Sequence, residues 1–129
     1  MEIPKQAWTG RIGEFVIENT RIGGQNTLPF LDFEGTPSKP ILGIEVFDNK
    51  TKIRGIEEFG NITKEPVEWA IKCKEHYKAD IVSLNLVSTN PEGLNTSIED
   101  VNALVKEILQ KVKLPLIIFG SGHEVKDIE

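Results

Sequence analysis

Three short runs of strand-forming residues, held apart by two amphipathic helical patterns, constrain this chain more than any other feature. The runs lie at residues 41–47, 80–87 and 114–119, and each is rich in Ile, Val, Leu or Phe. The first reads Ile41-Leu42-Gly43-Ile44-Glu45-Val46-Phe47, apolar throughout except for Glu45. Such a run suits a strand covered on both faces, as in a parallel sheet. Strands alternating with helices imply crossover connections and a parallel βαβαβ arrangement.

The two helices have physical signatures of their own. Thr63 can cap the first, with Pro66 tolerated in the opening turn, where backbone N–H groups lack partners anyway. Val67, Ala70, Ile71, Cys73 and Tyr77 then share a stripe, with Glu68, Lys72 and Glu75 outward and Trp69 at the stripe's edge. Trp69 is there either for packing under the N-terminal hairpin or as part of a subunit surface. The second helix opens on Thr96-Ser97-Ile98-Glu99-Asp100, a capping box available in two registers. Ile98, Val101, Leu104, Val105, Ile108, Leu109 and Val112 recur at three-and-four spacing. Lys111 and Lys113 suit its C-terminal dipole, and Pro115 ends any continuation.

Before the first run, Phe15-Val16-Ile17 and Arg21-Ile22-Gly23-Gly24 flank Asn19-Thr20 and read as a hairpin. Residues 22–35 fit neither helical nor strand periodicity, yet hold three glycines, Pro29, Phe30 and Phe33. They predict an ordered apolar seam, with the two rings buried, since a flexible linker would be richer in Ser and Lys. Residues 48–62 carry charges and two glycines and read as a loop, with room for a short helical turn. The domain organisation expected is therefore 1–35 for hairpin and seam, and 36–129 for the strands and helices. A closed (β/α)8 barrel needs roughly 250 residues, so 129 residues with three sheet strands read as an unfinished one.

Composition excludes several classes. The net charge of −5 and the scattered basic residues give no electrostatic footprint for nucleic acid or an anionic membrane. The longest apolar stretch, residues 114–119, is far too short to span a bilayer. Met1-Glu2-Ile3-Pro4-Lys5-Gln6 has no apolar targeting core, and a cytoplasmic protein is expected. A single cysteine, Cys73, excludes an internal disulfide and any all-cysteine iron–sulfur site, and suits core packing.

Chemistry in parallel α/β sheets gathers beyond the C-terminal ends of the strands. Those ends are residues 45–48, 85–89 and 120–123. Gly120-Ser121-Gly122 before a helix offers backbone N–H groups to a phosphate or amide oxygen, or is simply a tight strand-to-helix turn. Val125 stands where a dinucleotide fingerprint requires its third glycine. Glu45 is a barrel-interior polar residue or an outward one. His123 lies just past a strand end and can face a ligand; His76 falls on the polar side of its helix. No metal-ligand spacing, nucleophile–base order or paired-carboxylate geometry stands out.

The run Gly23-Gly24-Gln25-Asn26-Thr27-Leu28-Pro29-Phe30, followed by Phe33-Glu34-Gly35, resembles the small subunit of the corrinoid iron–sulfur protein. The archaeal counterpart of that family is the delta subunit of the acetyl-CoA decarbonylase/synthase complex. Lys39-Pro40-Ile41, Pro66-Val67-Glu68-Trp69-Ala70 with Lys72-Cys73, and Pro115-Leu116-Ile117-Ile118 through Gly120-Ser121-Gly122 to Lys126-Asp127 fit as well. Tyr77-Lys78-Ala79-Asp80 is a weaker match.

The resemblance implies the first part of a TIM (β/α)8 barrel, paired with a large corrinoid iron–sulfur subunit. A corrinoid (cobamide) is shared with that subunit, and the iron–sulfur cluster belongs to the larger chain. The corrinoid carries methyl groups between a methyltetrahydropterin, through its methyltransferase, and acetyl-CoA synthase. This chain would act as scaffold and cap, contributing no nucleophile or acid. Its cofactor-facing residues would be Asn85, Ser88, Thr89, Gly120, Ser121, Gly122 and His123. Two other readings compete: a pterin-binding methyltransferase or synthase barrel, with Asn85 and Asp48 over the pterin ring, and an α/β interaction domain with no ligand. Residues 48–62 lack the Trp-Pro element that the resemblance leads one to expect after the first strand, and Asp32 stands where bacterial relatives tend to carry histidine, so the implied partner contacts do not carry over through those segments.

Overall fold

A computed structural model describes residues 12–25, 38–49 and 55–128. The chain divides into two compact units, Met1–Ile41 and Leu42–Glu129. In the first, β1 (Glu14–Ile17) pairs antiparallel with β2 (Thr20–Gly23). Ile17 pairs with Thr20, so Glu18-Asn19 form the turn, one residue earlier than the sequence suggests. β-branched Thr20 goes to the strand, and Glu18 takes the left-handed conformation at φ 52°. Gly23 has φ 82°, and a Cβ there would stand 2.1 Å from the Gly13 carbonyl oxygen. The apolar seam, with Pro29, Phe30 and Phe33, lies outside the described residues.

The second unit is a three-stranded parallel sheet in the order β3 (Gly43–Phe47), β4 (Ile81–Asn85), β5 (Leu116–Phe119). Helices α1 (Pro66–Glu75) and α2 (Ile98–Val112) form the crossovers, and α3 (Glu124–Ile128) follows β5. The expected alternation is thus observed as a mixed α/β unit. Strand alternation assigns Ile44, Val46, Val82, Leu84 and Leu116 to one face, where Val46, Val82 and Leu84 are wholly buried. They meet Ala70 and Cys73 of α1 and Ile108 and Val112 of α2 in one core. Glu45, Ser83, Asn85, Ile117 and Phe119 fall on the opposite face.

Within the segment read as a loop, the described residues from 56 onward are helical. A 3-10 run spans Ile56–Lys64, kinked at Gly60 (φ 67°, ψ −145°), and sets Phe59 against Trp69. Thr63 does not cap α1. Its hydroxyl donates to the Gly60 carbonyl at 3.0 Å, and the helix starts only at Pro66. Proline keeps the preceding residue out of the helical region, and Glu65 duly sits at φ −124°, ψ 85°. Trp69 is neither at an edge nor on a surface. It is 1% exposed, its ring 5.3 Å from Phe59 and 6.1 Å from Phe47.

For α2, Ser97 is the cap: its Oγ accepts from the Asp100 amide at 3.2 Å and donates to the Asp100 carboxylate at 2.8 Å. The competing Thr96 register is not used, the Thr96 amide donating to the Ser88 carbonyl at 3.0 Å. Ile108 and Val112 of the predicted stripe are buried, while Ile98 and Leu109 flank it in solvent. At the C-terminus, Lys113 adopts φ 54° and donates to Leu109, and the Lys74 ammonium reaches the Val112 carbonyl at 2.6 Å. Lys111 instead pairs with Glu107 at 2.7 Å.

Candidate functional site at the strand ends

The C-terminal end of β3 is joined to the β4–α2 connection by one carboxylate. Asp48 accepts from both the amide and the hydroxyl of Ser88, the amide at 3.0 Å, while its own amide donates to the Asn85 carbonyl at 3.1 Å. Ser88 is buried at 6% exposure, and its carbonyl receives the Thr96 amide that leads into α2. Thr89, equally buried, donates its hydroxyl to the Leu86 carbonyl at 2.8 Å. Both side chains shape the connection, and neither turns a free polar group outward.

Asn85 is different. Its Nδ2 donates to Glu45 Oε1 at 3.1 Å across the β3–β4 pair. Glu45 is exposed, on the sheet face away from the helices, and is a polar residue with a defined partner. Ser83, beside Glu45 in register, has a buried Oγ without a hydrogen-bond partner. Across the sheet Asn85 is level with Phe47 on one side and Phe119, 52% exposed, on the other.

The β5–α3 turn has already taken an anion of its own. The Ser121 and Gly122 amides donate to the Asp127 carboxylate at 2.9 and 2.8 Å, and the Ser121 hydroxyl adds a third bond at 3.1 Å. A Cβ on Gly120 would stand 2.3 Å from Asp127 Cγ, so glycine is needed for this approach. Desolvation raises the Asp127 carboxyl, but the Ser121 and Gly122 amides, the Ser121 hydroxyl and nearby His123 together outweigh it and hold the group below its ordinary value. His123 Nδ1 accepts from the Lys126 amide at 3.4 Å, and its carbonyl accepts from Asp127. The tight-turn reading of Gly120-Ser121-Gly122 therefore describes what the main chain does.

Of the seven residues expected to face a cofactor, then, Ser88 and Thr89 are tied into their loop, and Gly120, Ser121, Gly122 and His123 into their turn. Asn85 alone presents an amide on the open face. Asp48 and Asp127 are the organising groups: Asp48, a ligand-facing residue on the pterin-binding reading, instead holds Ser88, and Asp127 has no role in the sequence reading. The signal for Asp127 was a carboxylate shortly after a Gly-Ser-Gly turn; for Asp48 there was none local.

A cleft of about 320 Å³ runs along β3, lined by Gly43, Ile44, Glu45, Phe47, Gly55, Ile56, Phe59 and Trp69. It holds none of the seven and follows the strand edge. Burial pushes the Cys73 thiol up to about 11, against a smaller opposing effect of Lys72, which leaves it a packing residue. Among the described residues no group of three or more His, Cys, Asp or Glu side chains could hold a metal ion. No helix among them is long and apolar enough to cross a membrane.

These features define a parallel α/β unit whose loops are shaped by internal hydrogen bonds and whose open sheet face carries one oriented amide beside an exposed phenyl ring. The sequence identifies the lineage. Residues 11–128 match the family described as CO dehydrogenase/acetyl-CoA synthase delta subunit, and the chain belongs to that family. It is 32% identical to the acetyl-CoA decarbonylase/synthase complex subunit delta of Archaeoglobus fulgidus, over 97% of this chain and 31% of the relative. The subunit of the same name in Methanopyrus kandleri is 37% identical over 84% of this chain and 28% of its own length. Subunit delta 1 of Methanosarcina thermophila is 33% identical over 95% of this chain and 31% of its own. The chain spans less than a third of the length of these relatives.

Proposed function

We propose that this chain works as a scaffolding and corrinoid-shielding part of a methyl-transfer complex in acetyl-CoA synthesis or cleavage. The observation that carries the reading is the family match, which runs through the hairpin and every strand and helix of the sheet unit. On this reading the βαβαβ unit belongs to a TIM (β/α)8 barrel, which fits a parallel sheet whose neighbouring strands are consecutive in sequence. The partners are a large corrinoid iron–sulfur subunit, a methyltetrahydropterin methyltransferase and acetyl-CoA synthase.

A corrinoid is a flat, largely apolar ring rimmed with carboxamides, and it supplies the cobalt that carries the methyl group. The row Phe47, Asn85, Phe119 suits such a ligand, with an exposed phenyl beside an amide. The Ser88 hydroxyl and the Ser121 and Gly122 amides do not, because they already have partners. The chain supplies surface and orientation and moves no proton.

The test is association. Mixed with a corrinoid-loaded large subunit, the chain should form a complex and perturb the corrinoid absorption spectrum. In the assembled complex Asn85→Ala should slow methyl transfer only about threefold to tenfold, the worth of one hydrogen bond. A thousandfold loss with assembly intact would mean general acid–base chemistry in this chain. Binding of methyltetrahydropterin by the chain itself, with no association, would favour the pterin-binding reading.

A further inference from the structure

The Glu45–Asn85 pair deepens that reading and rests on it. A carboxylate accepts hydrogen bonds and has none to give, so the Asn85 amide must turn its Nδ2 toward Glu45. The amide is thereby fixed in one of its two orientations, and Oδ1 takes no donor among the described residues. It sits at the C-terminal end of the middle strand, in register with exposed Phe119. We propose that Glu45 is a positioning residue which sets Asn85 Oδ1 as the acceptor for an N–H of a corrin-ring carboxamide, while Phe119 meets the apolar ring.

Two observations and one chemical requirement bear on this choice over the neighbouring groups. Asp48 and Asp127, the other carboxylates at the strand ends, have their oxygens engaged by Ser88 and by the β5–α3 turn. Ser83, in line with Glu45, has its hydroxyl buried, so Asn85 Oδ1 and not Ser83 is the group placed to meet a ligand. The ligand group required is a donor, which a carboxamide N–H provides and a phosphate does not.

The experiment compares affinity of the chain for the large corrinoid iron–sulfur subunit with and without its corrinoid. Wild-type chain should prefer the loaded subunit. Asn85→Ala and Glu45→Met should each lose about threefold to tenfold of that preference, with affinity for the empty subunit unchanged. The exchange Glu45→Gln with Asn85→Asp should restore it, because the glutamine amide now donates to the aspartate and leaves its second oxygen as acceptor. Thermal melts of each variant separate folding losses from binding losses. A wild-type preference that survives both single substitutions overturns the role of this pair and leaves the corrinoid reading standing. Equal weakening toward loaded and empty subunits makes the pair an ordinary protein contact. Absence of any wild-type preference overturns the corrinoid reading itself.

Discussion

Trp69 offers the sharpest test of how this unit is held together. The indole is 1% exposed and lies against Phe59 and Phe47, yet its Nε1 has no hydrogen-bond partner. Trp69→Ala should cost about 3–5 kcal/mol, the usual loss for a large buried ring. That is a large fraction of the 5–15 kcal/mol or so that holds a typical domain together. Trp69→Phe separates the two contributions. It removes roughly two buried carbons, worth about 1.6 kcal/mol, and also an unsatisfied donor whose burial costs about 1–3 kcal/mol. The two nearly cancel, so the phenylalanine variant should stay within about 1.5 kcal/mol of wild type. Guanidinium unfolding followed by far-UV circular dichroism measures both. A phenylalanine variant as unstable as the alanine one would show that the indole N–H has a partner. A mild alanine variant that fails to assemble would make Trp69 a subunit surface after all.

The remaining expectations concern the turn, the thiol and the cap. Because the Asp127 pKa is depressed in the folded chain, its contribution is present above the unfolded value of about 3.9 and is lost as pH falls through the folded one. Asp127→Asn should therefore flatten the acid limb of a stability–pH curve, and an unchanged limb would show that the turn does not rely on this carboxylate. Cys73, wholly buried with its pKa near 11, should resist iodoacetamide at pH 8 in the native chain and react on unfolding; alkylation at the same rate in both states would refute its core position. Ser97→Ala should destabilise by about 0.5–2 kcal/mol, read as a lower urea midpoint. A neutral effect would mean that the Thr96 register takes over.

Which parts were legible follows from how far each cause reaches along the chain. The helices and strands come from periodicity, capping residues and proline, all local, and they fall close to where the sequence puts them. Pro66 illustrates both the strength and the error. It marks the start of α1 correctly, but its restriction of Glu65 also forbids the earlier start that a Thr63 cap would need. Helical periodicity puts Trp69 at a stripe's edge because the stripe counts only neighbours on one helix. What buries it is a kinked 3-10 run whose Phe59 arrives from outside that helix.

The strand ends show the same limit in chemical form. Sequence position locates groups beyond the C-terminal ends of strands, but it cannot say whether their donors and acceptors are already used. The Asp48 carboxylate reaches Ser88 forty residues away, and Asp127 folds back five residues onto the Gly122 amide. Each converts an apparent ligand group into loop structure, because a buried or crowded donor takes the nearest available acceptor. The Glu45–Asn85 bond spans the same separation with the opposite consequence. A carboxylate facing an amide satisfies one end of it and fixes the other outward, so this long-range contact leaves the middle strand with an oriented acceptor. Asp48 and Asp127 are spent on holding loops, whereas the Asn85 amide uses only its Nδ2 on Glu45.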